Sequence, residues 1–209
     1  MKKSLFIAAL LFVVSGSLVA QDITLPKAVT TGGKPLMEAL NARKTIRTFS
    51  SQELTQAQLA NLLWAANGVN RADGKRTAPS ASNCQEIDVY VFLKTGVYFY
   101  DATNHKLVLK AKGDLRSQVG TQAFTHKAPV VLVFVGNYDK MSRYKDRPED
   151  MQFYAATDVG NVSQNVYLFA ASEGMSTVAL GGVKRDELMK ILNITNGKVL
   201  LGQPVGFPE

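Results

Sequence analysis

The 209-residue chain is predicted to fold as an α+β domain, a mixed, mostly antiparallel sheet surrounded by helices. Three observations carry that expectation. Ile87–Leu93 and Val130–Val135 are apolar at nearly every position, the pattern of strands covered on both faces. Val97–Tyr100 and Lys106–Lys110 flank Asp101-Ala102-Thr103-Asn104, which reads as a hairpin. Phe153–Glu173 has apolar or small residues on most sides, so it is expected as a long helix at the domain centre or at a subunit contact.

Taken in order, the chain begins with Lys2 and Lys3, an apolar run from Leu5 to Val14, then Ser15-Gly16-Ser17 and Ala20. That is the pattern of a secretory signal peptide over residues 1–20, cut after Ala20. The run is shorter than the roughly 20 residues a membrane-spanning helix needs, so no stable insertion is expected after cleavage. A periplasmic or secreted protein follows. Residues 21–34, with Pro26, Gly32 and Gly33, read as an N-terminal arm or linker, and residues 35–209 as one domain.

Pro35 suits the start of a first helix, whose apolar face would be Leu36, Met37, Ala39 and Leu40. Thr55 and Gln58 form a capping box for a second, with Leu59, Leu62, Leu63 and Ala66 on one face, Trp64 at its rim and Gly68 as the stop. Residues 69–77 form a loop. Lys140–Asp150 is charged and is expected as a surface loop or short helix. Thr177–Leu180 is β-like, Gly181-Gly182 turns, Arg185–Leu192 is a last helix and Leu200–Val205 a last strand.

Loss of Lys2 and Lys3 lowers the formal net charge by two, from +7 to +5. That mild excess lacks the dense or aromatic-interleaved basic runs of a nucleic-acid binder. Cys84 is the only cysteine, so ordinary packing must hold the exported chain together. His105 and His126 have no carboxylate or thiol at ligand spacing, and no metal site is expected.

Two patterns stand out for chemistry. Arg43-Lys44-Thr45-Ile46-Arg47 packs three cations and a hydroxyl behind the first helix. Alone it would be an ordinary solvated helix end. Arg47 follows Arg43 by four, however, and like charges that close repel unless an anion lies between. Guanidinium forks match phosphate oxygens. The second pattern, Pro79-Ser80-Ala81-Ser82-Asn83-Cys84-Gln85, strings hydrogen-bonding residues ahead of a strand; Asn83 and Gln85 would point the same way on entering it. Amides suit the polar edge of a flat ring. Leu180-Gly181-Gly182 adds a backbone that a ring could approach closely. A phosphate at one end and a polar-edged ring at the other describe flavin mononucleotide, FMN.

The order of an R-x-[ST]-x-R motif, a P-S-x-x-N-x-Q loop, a strand, a long helix and Val178-Ala179-Leu180-Gly181-Gly182 resembles the FMN-dependent nitroreductase superfamily. The likeness runs from about Leu36 to Pro208. Leu62–Val69, Gly96–Asp101, Gly160–Asn165 and Pro204–Pro208 are similar to the branch with azoline-oxidising dehydrogenases. The resemblance implies an interlocked homodimer with FMN at the interface. One subunit would supply Arg43, Lys44, Thr45 and Arg47; the other would supply Pro79, Ser80, Ala81, Ser82, Asn83 and Gln85. Leu180, Gly181 and Gly182 would face the reactive flavin nitrogen. It implies hydride transfer through the flavin to a small nitroaromatic or quinone-like acceptor, with NADH or NADPH as donor and no protein catalytic group beyond the flavin.

Three departures qualify it. Many relatives place a late Lys or Arg on the phosphate, whereas this sequence ends at Glu209. Azoline-oxidising enzymes have a Lys-Tyr pair where Arg143-Tyr144 aligns, and arginine is a poor general base. A signal peptide removes the chain from cytoplasmic nicotinamides, so the donor stays open. Two alternatives follow: a flavin-binding protein without turnover, and a peptide or small-molecule dehydrogenase using Arg143 and Tyr144.

Overall fold

The structure, a computed structural model, describes residues 21–209; the expected signal peptide lies outside the described residues. Seven strands form one sheet in the order β1-β4-β3-β2-β5-β7-β6. They are β1 (Ile23–Thr24), β2 (Ile87–Leu93), β3 (Gly96–Asp101), β4 (Lys106–Lys112), β5 (Val130–Asn137), β6 (Ser176–Thr177) and β7 (Gly197–Gly206). Every paired strand is antiparallel. Four α-helices accompany them: α1 (Leu36–Ala42), α2 (Gln56–Asn67), α3 (Pro148–Glu173) and α4 (Arg185–Ile191). Among the described residues no helix is long and apolar enough to cross a membrane.

The unbroken apolar runs acquire their reason here. Strand side chains alternate between faces. In β5, Val130, Leu132 and Phe134 enter a core shared with α2 and α3, while Val131, Val133 and Val135 enter a second core under α4. The same holds in β2, where Val89 and Val91 face the first core and Tyr90 and Phe92 the second. Both sheet faces are covered, so no position in these strands can be polar without a buried partner.

Several elements differ from the sequence reading. Helix α3 starts at Pro148, five residues before the expected Phe153, with Glu149 and Asp150 in its first turn. Proline suits a first helical position and acids suit the positive end, so the end of the stretch read as a surface loop or short helix is the start of the long helix. The rest of the charged stretch, Tyr138–Tyr144, is a 3₁₀ turn. The last strand begins at Gly197 rather than Leu200, and the β-like run at 177–180 keeps only Thr177 in a strand, with Leu180 making a single bridge to Gly202.

Gly68 ends α2 in an extended conformation, φ −78°, not a left-handed one. A Cβ there would lie 2.6 Å from the Trp64 Cα, so close approach, not backbone handedness, selects glycine. The expected apolar face of α1 also turns out otherwise. Only Ala39 is buried, and Leu36 and Met37 are 63% and 75% exposed. The arm at 21–34 is docked by β1 pairing with β4 and by buried Leu25 and Ala28.

Candidate functional site

Residues 43–47 leave α1 as extended chain beside the turn that follows β6. The Ile46 N–H donates to the Thr177 carbonyl at 3.0 Å. Thr45 Oγ1 lies 3.0 Å from the hydroxyl of Tyr167 on α3, and that same hydroxyl accepts the Ala179 N–H at 2.9 Å. The Arg43 guanidinium sits 5.3 Å from the Tyr167 ring centroid, within cation–π range. One tyrosine therefore joins the cationic segment to residues 177–182. Among the described residues no carboxylate pairs with Arg43, Lys44 or Arg47.

Leu180 is buried and exchanges two backbone bonds with Gly202, at 2.7 and 3.0 Å. Gly181 and Gly182 are exposed beside it, and a Cβ at Gly181 would meet nothing within 4 Å. Their carbonyls are occupied by Arg185 Nη2 and by the Thr121 N–H. Lys44 and Ile46 line a cavity of about 460 Å³ with Lys34, Asn41 and Met175; Arg43, Thr45 and Arg47 do not line it.

Residues 79–85 are built differently. Ala81–Asn83 is a 3₁₀ turn and β2 begins only at Ile87, so Asn83 and Gln85 do not project from a strand. Ser82, Asn83 and Gln85 instead have φ of 51°, 55° and 51°. Left-handed backbone at non-glycine residues costs of order 1 kcal/mol each, so something must hold it. Four bonds do. The Ala81 N–H donates to Asp158 Oδ2 at 2.7 Å, and Ser82 Oγ meets the Tyr144 hydroxyl at 2.7 Å. The Gln85 N–H donates to Ser80 Oγ, and Arg76 Nε donates to Gln85 Oε1, both at 2.9 Å. Gln85 Nε2 reaches Asn83 Oδ1 and the Gly74 carbonyl, so its amide is engaged within the chain. Pro79 and Asn83 are exposed.

Tyr144 is buried under the Arg147 guanidinium, 5.0 Å from its ring, while Arg143 is exposed. The tyrosine named from sequence as one possible reacting group is bonded to Ser82 in this structure. Burial, helped by the carboxyls of Glu86 and Asp158, pushes the Cys84 thiol up, against the pull of Arg143. Burial pushes Glu86 up to about 7, with the Asp158 carboxyl adding to it and its own backbone N–H and Lys140 opposing.

Arg76, Glu86, Asp158 and Tyr167 were not singled out from sequence. Asp158 is the only charged residue between Met151 and Ser172, and a lone acid in an apolar helix is a signal that could have found it. Asp158 anchors the 79–85 loop and Tyr167 anchors the 43–47 segment. Nine residues apart on α3, the two stations are separated by about 13 Å along the helix axis.

Comparison with known proteins shows the family of the chain. A model of the nitroreductase family matches residues 40–207. The chain belongs to the nitroreductase family. A protein of Methanocaldococcus jannaschii named as a nitroreductase is 34% identical over 182 residues, covering 82% of this chain and 90% of that one. The crystal structure of a Ralstonia eutropha protein described as a nitroreductase superposes with a TM-score of 0.86 at 40% identity, over 92% of each chain. The NADPH:FMN oxidoreductase of Vibrio harveyi, solved with NAD+, shares the fold at a TM-score of 0.60 and 23% identity, over 83% of this chain and 69% of that one. Family membership makes this protein an oxidoreductase of the nitroreductase kind.

Proposed function

We propose that the mature chain is an exported, homodimeric oxidoreductase that holds FMN between an Arg43–Arg47 cradle and the 79–85 loop of a second copy, and reduces a small nitroaromatic or quinone-like acceptor. The observation that carries the reading is the pair of stations on α3. Among the described residues, one presents guanidinium groups with no carboxylate partner, and the other a strained loop fixed in shape by partly buried bonds. The residues fit the cofactor. Free guanidinium groups suit a phosphate, exposed Asn83 suits a ring edge, and the open side of Gly181 leaves space for a ring face.

The two-electron chemistry is the flavin's own. Arg43 and Arg47 would bind and neutralise the phosphate, and Ser82 and Asn83 would orient the ring. The NADPH-flavin oxidoreductase among the relatives supports NADH or NADPH as donor in a reconstituted assay. Export rests on the basic, apolar start and leaves the natural donor to be found.

Dimerisation is supported by the outer face of α3. Phe153, Ala156, Thr157, Gly160 and Gln164 are exposed there and carry no charge, and Leu36, Met37 and Leu40 of neighbouring α1 are exposed too. Exposed apolar surface of that kind is what a second copy covers. The azoline-type reading is disfavoured because the Tyr144 hydroxyl is committed to Ser82.

Purified residues 21–209 should be yellow, sediment as a dimer and release FMN on denaturation. Anaerobic NADPH should bleach the visible band, and a nitroaromatic or quinone should restore it. A colourless protein that takes up no added FMN overturns the proposal, and a monomer that binds FMN overturns the shared site.

A further inference from the structure

We propose that Glu86 and Asp158 share one proton, and that this proton clamps the 79–85 loop onto α3 in the shape that receives the flavin. The proposal deepens the functional reading above and rests on it for the flavin alone.

Burial and the unmatched oxygens of Glu86 call for the proton. Glu86 is 0% exposed and Asp158 is 6% exposed, so neither carboxyl is dissolved in water. Among the described residues the one N–H that acts on the Glu86 carboxyl is its own backbone N–H, and it falls outside hydrogen-bonding geometry, so both oxygens lack a well-formed partner. The polar side chain that faces it is the Asp158 carboxyl. Two ionised carboxylates can only repel, whereas one proton between them makes a short, charge-assisted hydrogen bond and gives Glu86 a partner. Leaving both ionised and dry would place two uncompensated charges in the core.

Asp158 has a second task. Its Oδ2 accepts the Ala81 N–H, the bond that opens the turn carrying left-handed Ser82 and Asn83. The backbone of Glu86 is tied to the sheet, since its carbonyl accepts the Asn137 N–H, and its side chain is wholly buried. When the proton leaves, Asp158 on α3 is the group that must swing toward water, and the Ala81 N–H loses its acceptor. The strained turn then relaxes.

Other groups around the pair modulate this without replacing it. Lys140, from the 138–144 turn, lowers the Glu86 pKa, but its ammonium is already bonded to Asp88 and to the Gln85 carbonyl. Cys84 and Arg143 lie close by, and the Tyr144 hydroxyl is held by Ser82. Glu86 and Asp158 act on the site through Ala81, so they are positioning residues.

The experiment compares mature wild type with Glu86→Gln, whose amide can donate to Asp158 but cannot titrate. In the apo protein, the Glu86 carboxyl carbon, followed by NMR, should titrate near neutral pH, and protection of the Ala81 amide from exchange should fall through the same range. In Glu86→Gln that protection should stay flat from pH 6 to 9. FMN affinity should drop about tenfold between pH 6 and 9 in wild type and stay at its pH 6 value in the variant. A Glu86 carbon titrating with ordinary surface carboxylates, or Ala81 protection indifferent to pH, overturns the clamp. If the clamp titrates as stated but FMN affinity ignores it, the link to the flavin is overturned. A chain that binds no FMN at any pH defeats the functional reading, and the apo titration then decides the clamp by itself.

Discussion

The two stations on α3 hold their segments by opposite means. At Tyr167 the 43–47 segment keeps its charges outward, with side-chain contacts through one phenol and cation–π stacking. At Asp158 the 79–85 loop has most of its polar groups bonded within the chain, Asn83 stays exposed, and the backbone carries the strain. The first is built to attract and the second to be shaped. Charge at an exposed site can be removed with little effect on folding, whereas a buried bond cannot be lost without disturbing the protein that presents it.

The sharpest way to break that contrast is to delete the charge. Arg43→Ala with Arg47→Ala should weaken FMN binding about a hundredfold, since each charged hydrogen bond is worth about 1.5–3 kcal/mol. Apo stability should move by no more than about 0.5 kcal/mol, as for other surface changes. Raising salt should weaken wild-type binding and leave the double variant nearly unaffected. Fluorescence titration of FMN together with urea unfolding measures both arms. A double variant that binds normally means the cations are only a solvated helix end.

Arg76→Ala should show the reverse balance. Its guanidinium bridges Gln85 Oε1 and the Asn67 carbonyl from a half-buried position. Losing both bonds should destabilise the apo protein by about 2 kcal/mol in urea. Arg76→Lys should not restore it, because one ammonium does not reproduce a planar fork. Equal stability of all three proteins would remove Arg76 from the account.

A pH series separates the stations again. Folding raises the Glu86 pKa to about 7, above the ordinary carboxyl value of about 4.3. A raised value supports the fold fully below the unfolded pKa and loses that support as pH climbs through the folded one. Apo stability should therefore fall by about 2 kcal/mol from pH 5 to pH 8, and the fall should vanish in Glu86→Gln. Unfolding midpoints in urea at each pH provide the check. A wild type with constant stability across that range would contradict a buried shared proton.

Tyr144→Phe removes only the Ser82 partner and keeps the ring packed under Arg147. The expected loss is about 1 kcal/mol, read as a several-fold faster FMN release in stopped flow. Unchanged release would mean that Ser82 holds its conformation without the strut.

How much of this was legible in the sequence follows the same division. The apolar runs of β2 and β5 announced strands covered twice because strand alternation is local. The cations at 43–47 were legible for the same reason, since exposed charge needs no partner to be recognised. The grip on the 79–85 loop was not. Asp158 lies 77 residues from Ala81, and Tyr167 lies 122 from Thr45. No periodicity links residues so far apart. The Asn83–Gln85 alternation argument failed because the chain turns before it enters β2.

Tyr167→Phe should have the smallest effect, and it shows what the cation station needs from its anchor. The phenol oxygen is shared between Thr45 and the Ala179 N–H, so its loss removes two bonds at once. Yet the ring remains for Arg43 to stack upon, and the Ile46–Thr177 backbone bond still ties the segment down. Thr45 and Ala179 are not deeply buried, so water can replace the lost partner at both. FMN affinity should therefore fall only about threefold, under 1 kcal/mol, with apo stability nearly unchanged. A fall as large as that of the Arg43 and Arg47 double variant would mean that this station, too, is shaped rather than merely charged.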